Sequence, residues 1–127
     1  MSLGPLLLIE DERSVMEFMR MALQRAGYAC SSATSAAEGI KLLQQHEFGG
    51  VISDMRTPGG LSGADVHEWI VLHRPELKHK IIFITGDTVN EDTMKSLVRT
   101  GVPYLEKPFR VQQFVGAVET LFGKAAQ

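Results

Sequence analysis

Val51-Ile52-Ser53-Asp54 is a short apolar run closed by a carboxylate, and the design recurs along the chain. Leu6-Leu7-Leu8-Ile9 runs into Glu10-Asp11, Ile81-Ile82-Phe83-Ile84 into Thr85, and Val102-Pro103-Tyr104-Leu105 stops just before Glu106-Lys107. Continuous aliphatic runs of this length suit strands buried on both faces. If the runs lie parallel in one sheet, their polar ends all arrive at one carboxyl edge, where open α/β sheets place ligands. Three carboxylates, a hydroxyl and an ammonium gathered there can hold a divalent cation and a phosphoryl group.

Between the runs the apolar spacing turns helical. Val15, Phe18, Met19, Ala22, Leu23 and Ala26 recur at helical intervals until Gly27. Tyr28 to Ala33 is a more polar strand, as at a sheet edge, and Ser35 caps a helix with the stripe Ala36, Ile40 and Leu43. A helix over Gly63 to His73 carries Val66, Trp69 and Ile70, and Arg74-Pro75 ends it because proline disfavours helix in the residue before it. Asn90 opens a helix with Met94, Leu97 and Val98 facing inward, and Gly101 closes it. A last helix carries Val111, Phe114, Val118 and Leu121. Strand and helix alternate through five units, which predicts a doubly wound (βα)5 fold, a parallel sheet covered by helices on both faces.

At 127 residues the chain fits one domain, residues 1–127, with an ordered core over 5–123; Met1-Ser2-Leu3 reads as a cloning remnant. Thirteen basic and fifteen acidic residues give a formal charge of −2, and the basic residues are scattered, so no nucleic-acid binding is expected of this domain. No apolar run is long enough to cross a bilayer and no signal peptide is visible, which makes a cytoplasmic location the expectation. Cys30 is the single cysteine and lies in a strand without a neighbouring base, so it reads as a packing residue. His46, His67, His73 and His79 lack metal-ligand spacing and read the same way.

Glu10-Asp11 at a strand end suits magnesium, which takes one or two carboxylates and keeps waters. Alone, the pair would read as a cap for the first helix, with Asp11 or Glu12 in that role. Asp54 alters the balance, because a carboxylate ending a central apolar strand is desolvated and needs a cationic partner, either Lys107 or a metal. Two carboxylates about 4 Å apart repel by roughly 4 kcal/mol at an effective dielectric near 20, so Asp11 and Asp54 together require a cation between them. Thr85 alone would be an ordinary strand threonine, although Gly86 beside it lets backbone approach a ligand. Lys107, placed beside the carboxylates, would neutralise them and bind a phosphoryl oxygen. Gly59-Gly60-Leu61-Ser62-Gly63 lacks the lysine of a phosphate-binding loop and reads as a flexible turn.

Leu8-Ile9-Glu10-Asp11-Glu12, Val51-Ile52-Ser53-Asp54-Met55-Arg56-Thr57-Pro58, Phe83-Ile84-Thr85-Gly86 and Leu105-Glu106-Lys107-Pro108-Phe109 resemble the receiver domain of two-component response regulators, the CheY-like family, over essentially the whole chain. The resemblance implies the flavodoxin-like strand order 2-1-3-4-5. It implies Asp54 as phosphoacceptor, Lys107 and Thr85 as catalytic partners, and Thr85 with Tyr104 as switch residues. Mg2+ would be held by Asp11, Glu10, Asp54 and the backbone carbonyl of Arg56. Arg56 and Asp87, two beyond the acceptor and the switch threonine, would modulate phosphoryl lifetime by shielding the path of water, their charges pairing across the site mouth. The Lys107–Pro108 bond is expected to be cis. Two departures stand out: Glu10 replaces the more usual aspartate, and the loop from Asp54 to Gly63 is one residue longer than the common form.

The function implied is a switch that assists its own phosphorylation and dephosphorylation rather than a turnover enzyme. A histidine kinase or histidine phosphotransfer domain would donate the phosphoryl group. A downstream protein or a second copy would read the surface of the fourth helix, fifth strand and fifth helix. An aspartyl-phosphate hydrolase of the haloacid dehalogenase type is the chemical rival, but it needs Asp-x-Asp after its first strand, and this chain has Glu10-Asp11-Glu12. A receiver acting without phosphorylation is the third reading, and the complete set of phosphorylation residues argues against it. With no output module after the last helix, the chain reads as free-standing or as a piece of a larger protein; Thr85-Gly86-Asp87 and Glu106-Lys107-Pro108-Phe109 resemble receivers of hybrid histidine kinases.

Overall fold

The computed structural model describes residues 4–124, so Met1-Ser2-Leu3 lies outside the described residues. One sheet holds five parallel strands, β1 (Leu6–Ile9), β2 (Cys30–Ala33), β3 (Gly50–Asp54), β4 (Ile81–Thr85) and β5 (Tyr104–Glu106), in the expected order β2-β1-β3-β4-β5. The connections are α1 (Arg13–Arg25), α2 (Ala36–Gln45), α3 (Gly63–His73), α4 (Glu91–Thr100) and α5 (Val111–Phe122), with a 3-10 turn at Pro75–Leu77 where proline has ended α3.

Side chains alternate across a strand, so each buried strand feeds two cores. Leu6, Leu8, Ile52, Ile82 and Ile84 pack with α1 and α5, against Met19, Leu23, Phe114 and Val118. Leu7, Ile9, Val51, Ile81 and Phe83 pack on the other face with Leu43, Val66, Ile70 and Leu97. Among the described residues, no helix is long and apolar enough to cross a membrane.

The caps follow the sequence. Ser35 accepts the N–H of Glu38 at 3.1 Å, and Asn90 accepts that of Thr93 at 3.1 Å. Ser62 and Asp65 form a reciprocal capping box at the start of α3. Gly101 closes α4 at φ 66°, a left-handed conformation open to glycine at no steric cost. The Lys107–Pro108 bond is cis, as expected.

Three expectations are corrected. Val98 is 77% exposed, because α4 turns only Thr93 and Leu97 fully inward and the residue after Leu97 lies about 100° round the helix. The buried stripe of α5 is Phe114, Val118 and Phe122, spaced by four; Val111 is 46% exposed and Leu121 half-buried. β5 begins at Tyr104 rather than Val102, since Pro103 has no N–H to give the ladder, although its carbonyl still accepts from Phe83 at 2.9 Å.

Gly63 marks a close approach at the foot of the site. A Cβ there would sit 2.8 Å from the carbonyl oxygen of Asp54 and 3.2 Å from the Cα of Met55. Gly63→Ala is expected to destabilise the fold by about 1–3 kcal/mol through this overpacking against backbone. Urea unfolding checks it; wild-type stability in the variant would contradict the contact.

Candidate functional site

The strand order reverses about β1, so the crevice at the carboxyl ends of β1 and β3 is the switch point of the sheet. Ile9 pairs with Ser53, and the next residue on each strand is Glu10 and Asp54. Asp54 also pairs with Ile84 on β4, which brings Thr85 to the same edge. Register alone therefore gathers the two carboxylates and the hydroxyl.

Lys107, reaching back from the end of β5, completes the cluster. Its Nζ lies 2.7 Å from Asp54 Oδ2, 2.8 Å from Glu10 Oε1 and 3.1 Å from Glu12 Oε1. Asp54 Oδ1 accepts the N–H of Arg56 at 3.0 Å, and Glu10 Oε2 accepts that of Glu12 at 3.1 Å. The buried Glu10 Oε1 meets the ammonium at 2.8 Å as an ion pair. Burial is the main cause pushing the Glu10 carboxyl up to about 7; Lys107 opposes it and Asp54 adds to it. Burial would lower Lys107, but its contacts with Asp54 and then Glu10 outweigh burial and hold the ammonium above the ordinary lysine range. Lys107 is thus a permanent cation.

Asp11 is exposed and is not one of the carboxylates around Lys107; Glu12 takes that place. Sequence reasoning considered Glu12 only as a cap, yet it stands at the N-cap of α1 with no side-chain capping bond. The chain bends at Asp11 just after β1, and Asp11 lines the exposed side of the same cleft while Glu12 reaches the ammonium. No sequence signal separates the two, since Asp11 and Glu12 are adjacent and both acidic. Glu10, Glu12 and Asp54 each bring a carboxylate oxygen within 4.8 Å of the others, an all-oxygen group of the kind that holds a hard cation.

A shallow cleft of about 280 Å³ opens over this cluster, lined by Asp11, Glu12, Asp54, Arg56, Thr85, Gly86, Asp87 and Lys107. Thr85 is buried, and its hydroxyl oxygen accepts the N–H of Asp87 at 3.2 Å. Tyr104, on β5, is 43% exposed. The expected Arg56–Asp87 pair does not form: among the described residues no ion pair joins them, and the Asp87 carboxylate accepts instead from the N–H of Asn90 at 3.0 Å. A turn closed by an Arg56–Ser62 bridge carries the long loop after β3, and Thr57 ties it to α2 by accepting the N–H of Ala36 at 2.9 Å. A second, larger hollow of about 600 Å³ adjoins the cleft, with Glu12, Gly86 and Lys107 common to both and Val15, Phe18, Pro108 and Phe109 forming its apolar wall.

His67, His73 and Cys30 make packing contacts. His67 lies edge-on to Phe83 and His73 against Trp69. Cys30 is half-buried, and burial pushes its thiol up, away from the thiolate a nucleophile needs.

The family model for the response regulator receiver domain matches residues 6–119. The C4-dicarboxylate transport transcriptional regulatory protein DctD of Rhizobium meliloti is 31% identical over 116 residues, 91% of this chain and 25% of that protein. The transcriptional regulatory protein PmrA of Pectobacterium parmentieri is 28% identical across 91% of this chain and 51% of its own length. The chain thus spans about half of one of these regulators and a quarter of the other. Among solved structures, a CheY-like receiver domain protein from Methanospirillum hungatei superimposes with a TM-score of 0.81 at 21% identity, covering 94% of this chain and 93% of that one. A receiver domain protein from Clostridium thermocellum gives 0.80 at 25% identity, covering 94% of each. With the strand order and the matched segment in agreement, the chain belongs to the response regulator receiver domain family, the signal-receiving module of two-component systems.

Proposed function

We propose that Asp54 accepts a phosphoryl group from the phosphohistidine of a histidine kinase or histidine phosphotransfer domain, and that Lys107 and Thr85 stabilise the product. The observation that carries this reading is the 2.7 Å contact between Lys107 Nζ and Asp54 Oδ2 at the switch point. An Asp54 oxygen attacks phosphorus, the N–P bond breaks, and the imidazole leaves with its electron pair. Lys107 is already charged and close enough to follow the developing phosphoryl oxygens. Thr85 accepts from Asp87, so its own O–H proton is free to be donated to a phosphoryl oxygen. Glu10, Asp11, Asp54 and the carbonyl of Arg56 are the groups that would hold Mg2+, whose charge, when bound, would offset that of the phosphoryl group. The crowding of carboxylate oxygens within 4.8 Å of one another about Lys107 supports the fit of a cation here.

As Thr85 moves toward the phosphoryl group, Tyr104 can turn inward from its half-exposed position, altering the α4-β5-α5 surface that also carries exposed Val98. A downstream protein or a second copy of the domain would read that change. Arg56 and Asp87 stand at the cleft mouth, where their bulk would slow attack by water. Such a partnership with a kinase would be met in the cytoplasm. The two regulators quoted are transcriptional regulators by name, so the likeness to hybrid-kinase receivers finds no counterpart in them.

Incubation with acetyl phosphate and Mg2+ is expected to add one phosphoryl group by intact mass. Absence of any adduct would overturn the reading. The apolar hollow of Val15, Phe18 and Phe109 beside the site fits the donor protein, its rings anchored by an edge contact of Phe18 with Phe109 at 5.8 Å. Phe18→Asp is expected to lower the rate from a phosphorylated histidine phosphotransfer domain, relative to that from acetyl phosphate, by about tenfold or more. An unchanged ratio of the two rates would place the docking face elsewhere.

A further inference from the structure

We propose that Glu12 is a positioning residue that holds Lys107 toward the mouth of the cleft and repels anionic phosphodonors, so that it sets the rate at which Asp54 is phosphorylated. The inference rests on Asp54 being the acceptor. Three carboxylates face one ammonium, and they differ in freedom: the side chains of Glu10 and Asp54 are 0% and 9% exposed, that of Glu12 is 59% exposed. Glu10 and Asp54 cannot leave Lys107 without stranding a buried charge, whereas Glu12 can turn into water. Nor does α1 need this carboxylate, since the Glu12 side chain makes no capping hydrogen bond. Glu12 also lines both hollows, which places it on the ridge between the acidic cleft and the apolar groove. An incoming phosphoryl group therefore meets the Glu12 carboxylate beside the ammonium it must engage, and Lys107 has to exchange that carboxylate for a phosphoryl oxygen.

The test compares wild type, Glu12→Gln and Glu12→Asp in labelling by two small donors, followed by intact mass with Mg2+ present. Acetyl phosphate is a dianion at neutral pH; its P–O bond breaks, acetate leaves with the electron pair, and the Asp54 oxygen bonds to phosphorus. Phosphoramidate is a monoanion carrying its own ammonium; its N–P bond breaks and ammonia leaves. Removing one negative charge near the path should speed acetyl phosphate labelling by about threefold or more at low salt. The gain should be smaller for phosphoramidate and should shrink as salt is raised. Glu12→Asp, which keeps the charge but shortens the arm, should gain less than Glu12→Gln with acetyl phosphate. A purely structural role would move both donors alike.

Glu12→Gln labelling at or below the wild-type rate with acetyl phosphate, or an equal gain for both donors, would overturn the proposal. So would a loss of about tenfold or more in Mg2+ affinity for Glu12→Gln, measured by amide shifts, because Glu12 would then be a metal ligand. Failure of the underlying reading looks different: wild type would take no adduct, or Asp54→Asn would keep it, and the gate would fall with it.

Discussion

Asp54→Asn is expected to abolish the phosphoryl adduct that acetyl phosphate and Mg2+ leave on the wild-type chain. The amide has nearly the volume of the carboxylate and can still accept the N–H of Arg56, so the turn after β3 should persist. What disappears is the nucleophile. Lys107 keeps Glu10 and Glu12, and three carboxylates crowded about one ammonium become two, so the fold should lose little stability. Amide spectra would confirm that the variant is folded. An adduct at the wild-type level in Asp54→Asn would reject the acceptor assignment, whichever residue carried it.

Lys107→Met should have the second large effect, on stability as well as on chemistry. It strands Glu10 and Asp54, both nearly inaccessible, and removing one partner of a buried pair costs about 3–5 kcal/mol. The lower end applies near neutral pH, because the Glu10 carboxyl, already pushed up from 4.5 to about 7, can take up a proton. A carboxyl whose folded value lies above its unfolded one binds extra protons in the fold, so stability falls as pH rises between the two values. In wild type that fall ends near 7. Without Lys107, which opposes the upward shift, it should continue to higher pH, making the deficit of the variant larger at about pH 8.5 than at about pH 6. Urea unfolding at both values checks it, and a deficit that shrinks with rising pH would contradict the assignment. Labelling by acetyl phosphate should fall about a hundredfold or more, as on loss of a preorganised cationic donor.

Much of this was legible in the chain. Apolar runs with polar ends fixed the strands, and the end of a central strand fixed Asp54, Thr85 and the reach of Lys107. Less legible were features decided by direction rather than by type. Asp11 and Glu12 are both acidic and adjacent, and it is the bend at Asp11, which residue type does not announce, that leaves Glu12 beside Lys107. Val98 sits at a helical interval that fits either face, and packing of Thr93 and Leu97 sends it outward. Phe18 belongs to the helical stripe of α1 and also to the wall of the groove, a double use that periodicity does not separate.

The shallow anchoring of α4 has an energetic consequence. Where α1 sinks four side chains fully into its core, α4 sinks only Thr93 and Leu97 and leaves Val98 in water. Local opening free energy follows buried apolar contact, so α4 occupies the low end of the molecule's spectrum of partial unfolding. Its amides should exchange with solvent hydrogen well before those of β1, which is buried along its whole length. Little work is needed to displace such a helix, so in the proposed switch even the small force of one threonine drawn toward one phosphoryl group would suffice to redraw the outer face of the domain.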